Sequence, residues 1–175
     1  MSRKQRLAGD FNDVYESTYP LLFRVAYRIT GSASVTEDLC QEAFIRYIKR
    51  SSPLPSIDEA RYWLIRVVKN LSLNHEKRKS RERRAYERLG REPKRIVPSG
   101  EVEAMQGESI QLVQKALNRL PFKLRSAIVL REYGDLSYRE IASVLGISEA
   151  NVKVRVFRAR EQLKRLLDEG EVYVS

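Results

Sequence analysis

The chain is poor in the residues that form covalent and metal cross-links. It has one cysteine, Cys40, and one histidine, His75. A single thiol excludes an internal disulfide, and one thiol with one imidazole falls short of the Cys and His sets that hold structural zinc. There is no P-loop and no assembled catalytic triad, and His75 has no evident partner for acid–base work. The chain is therefore not read as an enzyme, and no cofactor is expected. No apolar run approaches the roughly 18 residues of a membrane span. The basic start, Met1 to Arg6, leads into no apolar segment of the signal-peptide kind. A soluble, cytoplasmic protein is expected. The 8 glycines and 6 prolines are few, and 42% of the residues are hydrophobic, enough for a packed core.

What is abundant is positive charge, and it is unevenly placed. Of the net +10, residues 1–60 contribute nothing, with 8 basic and 8 acidic side chains. Residues 61–100 carry 13 basic against 4 acidic, and residues 101–175 carry 12 against 11. Within the last third, residues 149–167 hold Lys153, Arg155, Arg158, Arg160, Lys164 and Arg165 against Glu149 and Glu161. Two concentrated basic regions point to a polyanionic partner.

Almost every segment has helical periodicity, so the fold is expected to be all-α. Phe11, Val14, Tyr15, Leu22, Val25, Ala26 and Ile29 set out a first helix, which Pro20 should kink or split and Gly31 should end. Ser34 with Glu37 reads as a capping box for a second helix. Its apolar face would be Val35, Leu39, Ala43, Phe44, Tyr47 and Ile48. Ser51 to Ser56 is a loop by composition. Asp58 is the expected N-cap of a third helix, with Ala60, Trp63, Leu64, Val67, Val68 and Leu71 inward. The other face, Tyr62, Ile65, Arg66, Lys69 and Leu73, is too apolar to be merely solvated, so contacts on both sides are expected. This helix should fray between Lys77 and Arg88.

Pro93, Pro98, Gly100 and Gly107 break any period. The reading is two small helical domains, 10–85 and 109–170, joined by a flexible linker, 86–108. Beyond it, Ile110, Val113, Leu117 and Leu120 make a helix. Pro121 suits the first turn of the next, which carries Ala127, Ile128 and Leu130.

The strongest local signal spans Leu136 to Leu167. Ser137 and Glu140 form a capping box, and Ile141, Ala142 and Leu145 follow at helical spacing. Gly146 can end the helix in the left-handed conformation, Ile147 buries in the turn, and Ser148 caps the next helix. Val152, Val156, Leu163 and Leu166 face inward there. This is a helix-turn-helix, whose second helix enters the major groove. Asn151, Lys153, Val154, Arg155, Phe157 and Arg158 are its candidate DNA contacts: cations pair with guanine acceptors, and Phe packs on a thymine methyl. Arg160, Lys164 and Arg165 suit phosphates at most. The opposite charge pattern, Asp38 to Glu42, suits a protein partner.

These residues carry a resemblance. Leu120-Pro121, Arg125, Leu136 to Ala142, Leu145 to Ser148 and Val152 to Arg160 resemble the promoter-reading C-terminal domain of bacterial sigma factors. Glu37 to Phe44 resembles the core-polymerase-binding helix of that family, and Trp63 to Leu71 resembles its DNA-melting helix. Two domains with little between them are similar to the small extracytoplasmic-function (ECF) group. The resemblance implies a transcription initiation factor that binds core RNA polymerase, directs it to promoter DNA and helps open it. It implies that Asp38, Gln41, Glu42 and Phe44 dock on the polymerase. The loop with Pro53 and Leu54 would hold a flipped base of the −10 element, and Tyr62, Arg66, Lys69, Asn70, Asn74 and Lys77 would track that single strand. The C-terminal helix would read the −35 duplex. An anti-sigma factor is a family expectation. Pro53-Leu54-Pro55 replaces a common Phe, and Val154 stands where Ser is frequent, which bears on sequence preference rather than on role. The alternative is a stand-alone helix-turn-helix regulator with a helical sensing or dimerising domain.

Overall fold

A computed structural model describes residues 3–91 and 107–172, with side chains described for 11–91 and 107–170. Seven helices and no strand occur among the described residues: α1 (Arg3–Thr30), α2 (Ala33–Ile48), α3 (Ile57–Arg88), α4 (Glu108–Arg119), α5 (Phe122–Tyr133), α6 (Tyr138–Leu145) and α7 (Glu149–Val172).

The helix boundaries show where local rules held. Helix α1 runs unbroken through Pro20, so the expected split does not occur. Gly31 ends it at φ +71°, in the left-handed region that favours glycine. That turn leaves Ser32, not Ser34, as the first extended residue. Ser32 is the N-cap of α2, and its hydroxyl accepts from the Val35 amide at 3.4 Å. The expected Ser34–Glu37 box is corrected accordingly. Ser56 likewise takes the N-cap of α3 from Asp58, accepting from the Glu59 amide at 3.1 Å. Asp58 lies in the first turn, beside the positive end of the helix dipole, and pairs with Arg61 at 3.1 Å. Helix α3 does not fray at Lys77 but continues to Arg88, three residues past the expected boundary. Pro121 is the N-cap of α5, one position before its first turn. Most of the segment read as a linker, 92–106, lies outside the described residues.

One continuous buried cluster runs from Val14 on α1 to Ala159 on α7. Leu22, Val25 and Ile29 of α1, Leu64, Ile65 and Val68 of α3, and Leu130, Ile141 and Val152 nearer the C-terminus are all fully buried. Each such side chain contributes roughly 1.5–3 kcal/mol by leaving water. The two halves therefore pack on each other, with α1 and α3 of the first against α4, α5 and α6 of the second. Helix α3 has buried residues on both of its faces, as its mixed pattern suggests. Ile65, placed on the outer face by periodicity, is wholly buried. Conversely Ile48, expected inward, is 63% exposed, and Trp63, expected in the core, is half-buried, with Tyr47 6.1 Å away and the Arg50 guanidinium 4.8 Å over its ring.

Candidate nucleic-acid interface

Helices α6 and α7 form the C-terminal site by local rules. Ser137 accepts from the Glu140 amide at 3.2 Å, and Glu140 Oε2 accepts from the Ser137 amide at 2.7 Å, closing the capping box. Gly146 ends α6 at φ +66°. Ser148 then accepts from the Asn151 amide at 3.2 Å and starts α7. Ile147 is half-buried against the core. Val152, Val156 and Ala159 bury one face of α7. The opposite face holds Asn151, Lys153, Val154, Phe157 and Arg158 exposed and Arg155 half-buried. Phe157 is 65% exposed and Val154 45%. Two apolar groups standing among cations suit the methyl-bearing edges of a major groove. Lys153 lies 5.8 Å from the Tyr138 ring, and Arg160 is held by Glu132 at 2.7 Å.

The residues expected to track a single strand lie along α3. Asn70, Asn74 and Lys77 are exposed, and Lys69 is half-buried. Burial, then the neighbouring Arg66, pulls the Lys69 ammonium below its ordinary pKa. Tyr62 and Arg66 are not free. The Tyr62 hydroxyl donates to Glu140 of α6, and Arg66 donates to the Ser143 hydroxyl at 3.2 Å and the Ser143 carbonyl at 3.4 Å. That hydrogen bond raises the Tyr62 pKa and, with the Ser137 amide, lowers that of Glu140. In the loop before α3, Pro53 is exposed and Leu54 half-buried against the core. His75, taken from sequence as a surface residue, is half-buried, and burial lowers its pKa from the ordinary imidazole value.

On α2, Asp38 and Gln41 are exposed, and Glu42 accepts from Arg46 at 2.7 Å. Phe44 is different. It is 5% exposed and packs among Phe11, Tyr15 and Tyr19, so it positions the helix and cannot itself reach a partner. Ile45, which sequence reading did not single out, and Ile48, which it placed inward, are exposed one turn and two turns on from Gln41 and extend the acidic face with apolar groups. Cys40 is fully buried, and desolvation pushes its thiol up to about 12, as befits a packed side chain.

Comparison with known proteins matches residues 14–82 to sigma-70 region 2 and residues 110–163 to sigma-70 region 4. The ECF RNA polymerase sigma factor SigW of Bacillus subtilis is 30% identical over 175 residues, covering 94% of each chain. This chain belongs to the ECF group of the sigma-70 family. The ECF sigma factor SigE of Mycolicibacterium smegmatis is 34% identical over 83% of this chain, which spans 57% of that protein's length. The crystallised sigma factor RpoE of Bartonella quintana superposes with a TM-score of 0.68 at 25% identity, covering 91% of this chain and 97% of that one.

As a sigma-70 family member the chain is a transcription initiation factor and not an enzyme, which removes the stand-alone regulator from consideration. Region 2 covers α1 from Val14, α2 and most of α3, and region 4 covers α4 to α7 up to Leu163. What sequence reading missed is the seam between the regions. Its central residue is Arg125, only 6% exposed. Its guanidinium donates to the Ile29 carbonyl at 2.8 Å, Leu120 at 3.0 Å and Asn118 at 3.3 Å, and pairs with Glu76 at 3.3 Å. No local pattern announces that pairing, because Glu76 and Arg125 are on different helices far apart in the chain.

Proposed function

We propose that region 4 reads the −35 element as duplex through the N-terminal half of α7, and that region 2 captures the −10 element as single strand along α3 and the Ser51 to Ser56 loop. Residues 10–85 and 109–170 act as separate units on the promoter. The observation that carries this reading is the exposed row on α7, with Arg158 and Phe157 presented outward while Val152, Val156 and Ala159 anchor the helix. An anchored recognition helix holds its base contacts in one geometry, which bidentate readout requires. Along α3, Lys69, Asn70, Asn74 and Lys77 supply the cationic and polar groups of a strand-binding track, and Tyr62 supplies a ring for stacking. Asp38, Gln41 and Glu42, with Ile45 and Ile48 beside them, form the surface for core polymerase.

Two partners follow from this reading. One is core RNA polymerase. The other is an anti-sigma factor, supported by the structure of Bartonella quintana RpoE, which is a complex with the anti-sigma factor NepR. The chain works in the cytoplasm. No helix among the described residues is long and apolar enough to cross a membrane.

In vitro transcription with core polymerase and a promoter library tests the reading. Start sites that depend on this chain should share two sequence elements, upstream and at the melted region. Asp38→Ala with Gln41→Ala should weaken polymerase binding and spare duplex binding. An equal loss of both would overturn the assignment of α2.

A further inference from the structure

Helix α3 outlasts the residues matched to region 2. That match ends at Glu82, whereas the helix runs to Arg88. From Arg81 to Arg91 every residue is exposed, so this end of the helix has no buried face to hold it. It is held by pairs along its own length: Arg84 donates to the Ser80 hydroxyl at 3.3 Å, and Arg83 pairs with Glu87 at 3.9 Å.

The cations here are not scattered. Lys77, Arg81, Arg84 and Arg88 stand at i, i+4, i+7 and i+11, which is one face of a helix. The two acids of this stretch, Glu82 and Glu87, fall outside that row. Lys77, Arg81 and Arg88 make no ion pair or hydrogen bond among the described residues. Like charges three and four residues apart repel and weaken a helix. A face that only meets water alternates its signs and avoids that repulsion, so an unbroken cationic row answers to an outside anion.

The row continues the face proposed to track the −10 strand, since Asn70 and Asn74 precede Lys77 by seven and three residues. What changes along it is the chemistry. The track has amides and, at its head, the Tyr62 ring, whereas the row has cations alone. Tyr86, the one aromatic among residues 77–91, is nine residues after Lys77 and lies on the opposite side. Single-strand capture needs rings for stacking. A duplex backbone needs only cations, and it presents phosphates at twice the density of one strand. From Lys77 to Arg88 the helix rises roughly 16 Å, the length of about five phosphate steps of one strand. With −10 held as single strand and −35 read as duplex, duplex must resume between them, next to the captured strand. We propose that the row from Lys77 to Arg88 is a further interaction surface, which binds the phosphate backbone of the duplex adjoining the captured −10 strand, whatever its sequence. The inference rests on the assignment of strand capture to α3.

Fluorescence anisotropy with holoenzyme assembled on core polymerase tests this. One fluorescein-labelled probe is the −10 single strand alone, and the other is the same strand continued upstream into a short duplex arm without a −35 element. The variants are Arg81→Gln with Arg84→Gln and Arg88→Gln, and lysine at the same three positions. The wild type should bind the forked probe tighter than the bare strand, equally for arms of different sequence. The glutamine variant should lose at least about tenfold on the forked probe at about 0.1 M salt, with a slope of log affinity on log salt shallower by about 2–3. It should bind the bare strand as the wild type does and melt no lower, because it removes like-charge repulsion. The lysine variant should restore binding, since a backbone contact needs charge rather than a planar fork. An unchanged affinity for the forked probe overturns the proposal. So does an equal loss on the bare strand, which would make the row part of the strand track, and so does weakened core binding, which would make the partner a polymerase surface. If the wild-type holoenzyme binds the bare strand no better than core polymerase alone, the assignment of α3 falls. If it binds the strand but gains nothing from the arm, only the role of the row falls.

Discussion

The two surfaces proposed to meet DNA differ in how the folded chain treats them. The recognition row of α7 is open, with Phe157 and Val154 among the most exposed apolar residues. The head of the α3 track is engaged, with half-buried Tyr62 and exposed Arg66 both bonded to α6. The α7 row is set out by local rules: a capping box, a left-handed glycine and an inward stripe fix its start and its facing, and the core then anchors it. The α3 face is decided by what the other half of the chain brings to it. A surface of the first kind follows from signals close in sequence, whereas one of the second kind follows from how distant helices pack.

Breaking the engaged side should give the largest effect. Arg125→Ala should destabilise the fold by about 3–5 kcal/mol in denaturant unfolding, because Glu76 would be left without its partner and three carbonyls would lose a donor. Arg125→Lys should rescue little, since one ammonium cannot reproduce a planar fork that spans several acceptors. A loss under about 1 kcal/mol, the range of an exposed pair, would show that the seam is wet.

On the open side, Arg158→Ala should weaken −35 duplex binding by about 1–3 kcal/mol if it makes a bidentate base contact. The check is holoenzyme titration on matched and mismatched promoters. Thermal stability should hardly change, since Arg158 is exposed. Unchanged promoter preference would remove Arg158 from the reading surface.

The cap shared by both sides comes next. Ser137→Ala should lower stability by about 1 kcal/mol, measured by thermal melting, and should loosen Glu140 from its place at Tyr62.

The smallest effect is on pH. The bonds from Tyr62 and the Ser137 amide hold the Glu140 pKa below the ordinary carboxylate range. Glu140 therefore adds stability above the unfolded carboxylate value of roughly 4.3, and that stability is lost as pH falls through the lower folded value. Melting temperatures taken downward from pH 6 should fall less steeply in Glu140→Gln than in the wild type. Identical slopes would show that Glu140 is not bonded in solution.

The legible part of the site was the part within one or two turns of its signal. Ser137, Glu140, Gly146, Ser148 and the inward valines of α7 could be read directly, because caps and stripes depend on neighbours in sequence. Near misses such as Ser34 for Ser32, and Asp58 for Ser56, share one cause. A cap is chosen by the backbone angle at which the loop arrives, and several adjacent residues carry a suitable oxygen. Phe44 shows a different limit. Its spacing beside Asp38 and Gln41 fitted a docking face, but the ring turns into an aromatic cluster supplied by α1.

The sequence by itself determined that the chain is helical, where its recognition helix begins, and that its charge lies in two stretches. Side-chain period, capping chemistry and composition act over a few residues and need no knowledge of the whole. Tertiary structure alone decided that Ile65 is core, that Arg125 is buried against Ile29 and Glu76, and that α6 accepts hydrogen bonds from Tyr62 and Arg66. Those outcomes depend on which surfaces of distant helices meet, and burial converts an arginine that would be a solvated charge into a tie between two halves of the molecule.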